Sequence, residues 1–166
     1  MDIYINGTII NEVVKTKFLG VTVDNTLSWK YHLDHVCNKI SKSLYLIAKA
    51  RKVMDTNSLI QLYYPFVYSY IQYGIVVWGT ANANILNKVI VLQKKIIRMI
   101  CGLRRREHTS PLFKKYKILK VEDIYKFKIC STVFKITIGD LPNLFWTNHY
   151  KRTDIHSYNT RNKSDF

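Results

Sequence analysis

Positively charged side chains recur along one stretch of this chain in a pattern that suits binding to a phosphate backbone. Between residues 84 and 106 the cations are Lys88, Lys94, Lys95, Arg98, Arg104, Arg105 and Arg106. No Asp or Glu occurs between Asp55 and Glu107, so these cations have no acidic partner nearby in sequence. Lysine and arginine neutralise phosphates, which makes nucleic acid the partner that this pattern favours. The alternative is a helix whose basic face contacts only solvent.

A second set of cations, Lys39, Lys42 and Lys49, lies on an earlier predicted helix. If the two helices pack side by side, their cations could line one positive groove that follows a nucleic-acid backbone. Tyrosine and phenylalanine are abundant, and exposed rings could stack on bases. Most rings of the central helix are expected to lie in the core instead.

Residues that support catalysis are not arranged in a recognisable site. The adjacent acids Glu122 and Asp123 stand at a predicted helix start, where the helix dipole favours them. The sequence has no carboxylate pair for two metal ions, no glycine-rich phosphate loop and no nucleophile motif. His32 and His35 could share a helix face, but no third metal ligand accompanies them. These residues therefore predict binding rather than catalysis, and no metal.

Hydrophobic spacing predicts the elements that hold these residues. Short strands are expected from residue 2 to residue 23, with a hairpin turn at 6–7 and one strand over 17–23 that contains Gly20. A helix should begin near Ser28, run from about residue 30 to 53, and be followed by a second helix at about 58–73 capped by Asn57 or Thr56.

The basic helix itself has a clear apolar period and a predicted end at Gly102. Its apolar residues, at steps of three and four, are Ile85, Val89, Leu92, Ile96, Ile100 and Leu103. Two further helices are expected at about 112–116 and 121–138. The fold class is therefore α+β, mostly α, with short N-terminal strands and a loosely ordered polar tail from residue 147.

The amino-acid composition agrees with a folded, positively charged chain. The 166 residues carry 26 Lys and Arg against 11 Asp and Glu, a net charge of +15, and 48% are hydrophobic, which excludes a disordered chain. An anionic membrane surface is the main alternative to nucleic acid as the partner of such a charge. The three widely spaced cysteines argue against a disulfide scaffold and a zinc module, and the start has no signal-peptide pattern.

One uncharged segment, Ser58 to Gly79, is long enough to cross a bilayer. Pro65 interrupts it, and glutamine, serine and tyrosine dilute it, so a buried central helix or helix pair is expected instead. Membrane association through this segment stays open as a third hypothesis.

Several short motifs, taken in order, resemble the C-terminal part of reverse transcriptases from non-LTR retrotransposons of the jockey type. They are FLGV at 18–21, LSW at 27–29 with His32, YG at 73–74, VWG at 77–79, LQKK at 92–95 with Arg98 and CG at 101–102, HTSPL at 108–112, LKVEDIY at 119–125 and NTR at 159–161. Each motif alone is weak, but their order and spacing from about Lys17 onward are specific.

The resemblance implies RNA-directed DNA polymerisation by the parent protein and a division of this chain. Residues 1–28 would form a primer-grip-like β-hairpin region, 29–106 a helical thumb-like bundle, 107–146 a C-terminal helical extension and 147–166 a truncated polar tail. The catalytic aspartates and Mg²⁺ belong to a palm upstream, so this fragment should hold no cofactor and be inactive alone. Its partners would be an RNA/DNA primer-template and the palm and fingers, not a membrane, in the nucleus or cytoplasm.

The resemblance also implies roles for particular residues. Leu19 and Gly20 match the primer-grip strand, where a glycine lets the backbone approach the primer end. The thumb contacts would be Lys94, Lys95, Arg98 and Arg104 to Arg106. The alternative is a non-enzymatic remnant or a co-opted interaction module with no specific nucleic-acid role.

Overall fold

A computed structural model describes residues 3–5 and 8–142, and the predicted polar tail lies outside these residues. The strands are β1 (Ile3–Ile5), β2 (Thr8–Ile10), β3 (Lys15–Phe18) and β4 (Val21–Asp24). The helices are α1 (Lys30–Ala50), α2 (Thr56–Tyr63), α3 (Ser69–Gln72), α4 (Ile75–Trp78), α5 (Ala83–Cys101), α6 (Ser110–Lys115) and α7 (Val121–Thr137), with a π-helical turn at Tyr64–Tyr68. The predicted α+β, mostly α class is confirmed.

The strands form two antiparallel pairs. β1 pairs with β2, with Ile3 opposite Ile10, and β3 pairs with β4, with Phe18 opposite Val21. The predicted single strand over 17–23 is wrong, because the chain turns back at Leu19 and Gly20. Both residues have positive φ, 44° and 81°, as a two-residue hairpin turn of the I′ type requires.

The start of α1 combines a side chain from β4 with the predicted Ser28, whose hydroxyl accepts the N–H of Lys30 at 3.4 Å. Trp29 occupies the cap position in a left-handed conformation, with φ 62°, and offers no side-chain cap. The buried Asp24 carboxylate instead accepts the backbone N–H groups of Thr26, Ser28 and Trp29 at 3.2, 3.0 and 3.0 Å. This interaction joins the hairpin to the helix and satisfies the N–H of Trp29, one of the groups that a helix start leaves unpaired.

The predicted central helix is built in pieces. Asp55 caps α2 by accepting the N–H of Asn57 at 3.0 Å, so the predicted cap at Asn57 or Thr56 is wrong by one or two residues. The π-helical turn contains Pro65, and the N–H of Ser69 reaches back to the carbonyl of Tyr64. Proline lacks the N–H that a regular helix needs at this point, which accounts for the wider turn.

The described core lies among α1, the α2–α4 segment, α5 and the start of α7. α1 and α5 form the most extensive helix pair. Leu33, Ile40 and Ile47 of α1 are at most 1% exposed, and Trp78 is fully buried with its indole N–H donating to the carbonyl of Tyr73 at 2.8 Å. In the described residues, no helix combines the length and apolar character needed to cross a bilayer.

The chain divides into two compact units, Met1–Lys128 and Ile129–Phe166. In the second unit the structure describes residues 129–142, which contain the end of α7 and a turn at Gly139, where φ is 85°. Phe134 and Ile138 of this unit are more than half exposed.

Candidate nucleic-acid interface

α5 separates an apolar side from a charged side. Val89, Gln93, Ile96, Ile97 and Ile100 are buried. Of the predicted apolar face, Val89, Ile96 and Ile100 are thus confirmed in the core, whereas Ile85, Leu92 and Leu103 are half-buried. The helix ends at Gly102, which has φ 73°, as predicted, and the N–H of Leu103 donates to the carbonyl of Arg98 at 2.9 Å. This end has the form of a Schellman cap.

Gln93 is a buried residue whose role sequence reasoning missed. Its amide nitrogen donates to the Tyr63 hydroxyl at 2.8 Å and to the Leu119 carbonyl at 2.9 Å, and its oxygen accepts the N–H of Val121 at 3.2 Å. Burial raises the pKa of Tyr63, while the hydrogen bond from Gln93 opposes that rise. The available signal was a glutamine four residues after Val89 and three before Ile96, on the apolar side. Gln93 therefore joins α5 to α2 and to the start of α7.

The charged side of α5 is not wholly without acidic partners. Lys88 donates to the Asp34 carboxylate of α1 at 2.8 Å, and this hydrogen bond raises the pKa of the lysine. These cations have no acidic partner nearby in sequence, but Lys88 has one that is distant in the chain. Both side chains are about half exposed, at 51% and 43%, so the pair contributes little to stability.

Arg98 supports the arginine loop that follows α5. Its Nε donates to the Glu107 carbonyl at 2.9 Å, and the Glu107 carboxylate accepts the N–H of Arg104 at 2.9 Å. Arg98 is half-buried. These contacts leave the side chains of Arg104, Arg105 and Arg106 exposed on a loop whose backbone is held at both ends.

The remaining predicted cations lie on two packed helices. Lys95 is exposed and Lys94 is half-buried on α5, while Lys39, Lys42 and Lys49 are exposed on α1. Within the described part of the chain, none of these five forms an ion pair. The groove that these cations would line together stays a prediction.

Leu19 and Gly20 form the tip of the β3–β4 hairpin. Tyr73 directly follows α3, and its hydroxyl donates a hydrogen bond to the carbonyl of Leu19. A Cβ on Gly20 would lie 3.0 Å from that hydroxyl oxygen, so the glycine allows this close approach. The Leu19 side chain is 76% exposed. The tip is thus fixed in position while its apolar side chain faces outward.

A cavity of about 290 Å³ lies beside this tip, between α1 and α3, with Gly20, His35, Tyr70 and Tyr73 among its lining residues. His32 also lines it, and its Nδ1 accepts the N–H of Thr22 at 3.4 Å. Burial, together with the nearby His35, lowers the pKa of His32, so the neutral ring is the favoured form. No cluster of three or more metal-ligating side chains occurs among the described residues.

The chain is similar in sequence to several known proteins. The chain is 30% identical over 123 residues to the RNA-directed DNA polymerase from mobile element jockey of Drosophila funebris, and 28% identical over 123 residues to its counterpart in Drosophila melanogaster. It is 24% identical over 125 residues to a probable RNA-directed DNA polymerase from transposon X-element of Drosophila melanogaster.

These alignments cover 72%, 72% and 73% of this chain but only 13%, 13% and 14% of the respective polymerases. No protein-family model and no solved structure matches the chain. The resemblance carried by the sequence motifs is confirmed, and the chain is a relative of one part of the RNA-directed DNA polymerases of jockey-type non-LTR retrotransposons.

Proposed function

We propose that this chain is a primer–template-binding segment of a retrotransposon reverse transcriptase, which holds an RNA–DNA hybrid while another part of the parent polymerase performs the chemistry. The observation that carries this proposal is the set of available cations on α5 and the following loop, at Lys94, Lys95 and Arg104–Arg106, in a chain related to such polymerases.

The expected contacts are to phosphates and sugars. An RNA–DNA hybrid is close to A-form, whose deep major groove hides the base edges from side chains. Lysine and arginine on a helix and a short loop suit backbone contacts, which position a duplex without reading its sequence. Binding should therefore tolerate any sequence and weaken steeply with salt.

The proposed organisation follows the family. Residues 1–28 act as a primer-grip region, 29–106 as a thumb, and 107–146 as an extension, and the palm and fingers of the parent polymerase are partners. In support, the β3–β4 hairpin is anchored to α1 by Asp24 while all of β3 is exposed. An exposed strand at the edge of a small sheet is a surface that a neighbouring domain can cover.

A second candidate function is an interaction module without a specific nucleic-acid role. Val13, Val14, Phe18 and Leu19 are each at least 59% exposed, and a run of exposed apolar side chains favours contact with a protein. The two candidates differ in how the chain responds to nucleic acid, so one binding experiment separates them.

The test measures binding of the purified chain to a fluorescent RNA–DNA hybrid by anisotropy across a salt series. We expect tight, sequence-tolerant binding with a steep salt slope. The variant Lys95→Ala/Arg105→Ala/Arg106→Ala removes three cations without disturbing the Arg98–Glu107 contact. Because each lost phosphate contact reduces the slope by about 0.9, the slope should fall by about 2 to 3.

The matched control is Lys114→Ala/Lys117→Ala/Lys126→Ala, which removes the same charge from exposed positions outside the proposed interface. Its slope should stay close to that of the unmodified chain. Equal slopes for the two triple variants would show that only net charge matters and would refute the α5 interface. Weak binding with no preference for the hybrid would favour the interaction module.

A further inference from the structure

A line of exposed side chains runs along α1 on the side opposite its buried residues. Its members, at alternating steps of four and three, are Tyr31, His35, Asn38, Lys42, Tyr45 and Lys49, and all six are exposed. Leu33, Ile40 and Ile47 face the core from the other side of the helix. We refer to the six exposed residues as the α1 stripe.

The two tyrosines of the α1 stripe are unusual for a solvent-facing helix surface. Tyr31 is 42% exposed and Tyr45 is 60% exposed. Each ring has a lysine ammonium over it, from Lys15 at 4.5 Å and from Lys49 at 4.7 Å. Packing against the core does not account for these rings, because they lie on the outer side of α1. Each tyrosine therefore forms an exposed platform of one aromatic ring with one cation.

The spacing and charge of the α1 stripe suit an extended anionic chain. Tyr31 and Tyr45 are separated by fourteen residues, or about 21 Å along an α-helix. The only acid of α1 is Asp34, and Lys88 holds its carboxylate. Between the tyrosines, the exposed Lys42 and Asn38 supply a cation and an amide beside a groove of about 630 Å³ that Tyr45 also lines.

We propose that the α1 stripe binds single-stranded nucleic acid, with unpaired bases stacked on Tyr31 and Tyr45 and phosphates held by Lys15, Lys42 and Lys49. The inference rests on the proposed function for the class of ligand, but it needs none of the α5 contacts. Bases in a duplex are stacked on one another and offer no free face, whereas unpaired bases stack on aromatic side chains regardless of sequence. Interleaved rings and cations are the combination that single-strand binding uses.

The test uses a single-stranded oligonucleotide that carries the fluorescent base 2-aminopurine. We expect the unmodified chain to bind it and to quench the 2-aminopurine emission, because stacking on a ring quenches this base. Tyr45→Ala should weaken binding about tenfold, and Tyr31→Ala/Tyr45→Ala about a hundredfold, with the quenching lost. Tyr31→Phe/Tyr45→Phe keeps both rings and should keep the affinity and the quenching.

The matched control is Tyr4→Ala, since Tyr4 is 59% exposed but lies on β1. It should bind the single strand as the unmodified chain does. Because the stripe residues are exposed, the helical circular dichroism of every variant should be unchanged. DNA and RNA single strands should bind alike, since stacking does not read the sugar.

Failure of the unmodified chain to bind or quench the single strand would overturn the proposal. An affinity of Tyr31→Ala/Tyr45→Ala equal to that of Tyr4→Ala would overturn it as well. The proposed function is tested separately, because the Lys95→Ala/Arg105→Ala/Arg106→Ala variant should bind the hybrid more weakly and with a lower salt slope, yet retain quenching of the single strand. Retained quenching with unchanged hybrid binding would refute the α5 interface and support the α1 stripe.

Discussion

In the β3–β4 hairpin all four residues of β3 are exposed, whereas α5 places five side chains in the core. The hairpin is held by polar contacts at a few points, of which the Asp24 carboxylate and the Tyr73–Leu19 hydrogen bond are two. α5 is held by apolar packing along its length, together with one buried glutamine.

This difference separates two kinds of stability within one chain. Burial of apolar surface acts on the whole fold, because removing one core contact weakens every element that packs around it. A few hydrogen bonds at the edge of the fold govern only local opening, since little apolar surface is lost when the hairpin detaches. Both proposed nucleic-acid surfaces lie mainly on helices, and the hairpin contributes Lys15 of β3 to the α1 surface.

The largest effect is expected from Gln93→Ala. The substitution leaves the buried Tyr63 hydroxyl and Val121 N–H without their partner, together with the less buried Leu119 carbonyl. The free energy of unfolding should fall by about 3 kcal/mol, because each buried unpaired group costs about 1–3 kcal/mol. Urea denaturation followed by circular dichroism measures this change.

The control for Gln93→Ala is Lys95→Ala, an exposed position two residues later on the same helix. It should change the free energy of unfolding by less than about 0.5 kcal/mol. Similar values for the two variants would show that the buried hydrogen bonds of Gln93 do not support the core, and would remove the contrast between core and hairpin.

A smaller effect is expected from Gly20→Ala at the hairpin tip. The φ of 81° disfavours any residue with a Cβ, and that atom would lie 3.0 Å from the Tyr73 hydroxyl. The local cost should be about 1 to 2 kcal/mol. Hydrogen exchange should speed up at the β3 and β4 amides, while the urea midpoint of the helical core stays nearly unchanged.

Gly139→Ala separates two causes of that effect. Its φ is 85°, but no atom lies within 4 Å of the position its Cβ would take. The Gly139→Ala variant therefore measures the cost of the left-handed backbone alone, without a steric contact.

The outcome that would contradict local opening is a lower urea midpoint for the whole chain in Gly20→Ala, instead of faster exchange in the hairpin alone. The hairpin would then belong to the same cooperative unit as α5.

The smallest change in overall stability is expected from lowering the pH. Hydrogen bonds from the Thr26 hydroxyl and the Ser28 N–H lower the pKa of Asp24 from 3.8 to about 2. Because the folded-state pKa is the lower one, the carboxylate stabilises the hairpin–α1 junction above pH 3.8, and this contribution is lost as the pH falls towards 2. Amide chemical shifts of residues 22–30 should follow this titration.

Asp24→Asn is the control for the acid titration, since an amide of nearly the same shape does not ionise. In Asp24→Asn the hairpin–α1 junction should be less stable than in the unmodified chain at pH 7. The amide chemical shifts of residues 22–30 should not change between pH 4 and 2, because the side chain at position 24 no longer ionises. Persistence of the titration in Asp24→Asn would assign the change to another acid, and the hairpin would then depend on contacts other than the Asp24 carboxylate.

The sequence by itself determined α1 and α5 and the charges on their outer sides. The apolar spacing of α1 and α5 and the stop at Gly102 were predictable, because a helix arises from contacts three or four residues apart and a left-handed glycine ends it. The family resemblance followed from short motifs in order along the chain. The exposure of Lys42 and Lys95 followed from the same periodicity.

The β3–β4 hairpin was missed because leucine is not a residue type that predicts positive φ. The segment that contains the FLGV motif was therefore interpreted as one continuous strand. The role of Asp24 at the start of α1 was missed because sequence rules look for a cap directly beside the helix, where Ser28 lies. The turn at Leu19 is fixed by a distant contact, to Tyr73, whereas the Asp24 carboxylate accepts N–H groups that follow it closely in the chain.

Only the tertiary structure determined which polar residues form hydrogen bonds and ion pairs with one another. Asp34 neutralises Lys88 across 54 positions, and Gln93 reaches Tyr63 and Val121 across 30 and 28 positions. A sequence pattern reports which side of a helix is apolar, but it does not report which neighbouring element packs there. Hydrogen bonds and ion pairs act over a few ångströms, so these partners become defined once α1, α2 and α7 have packed around α5.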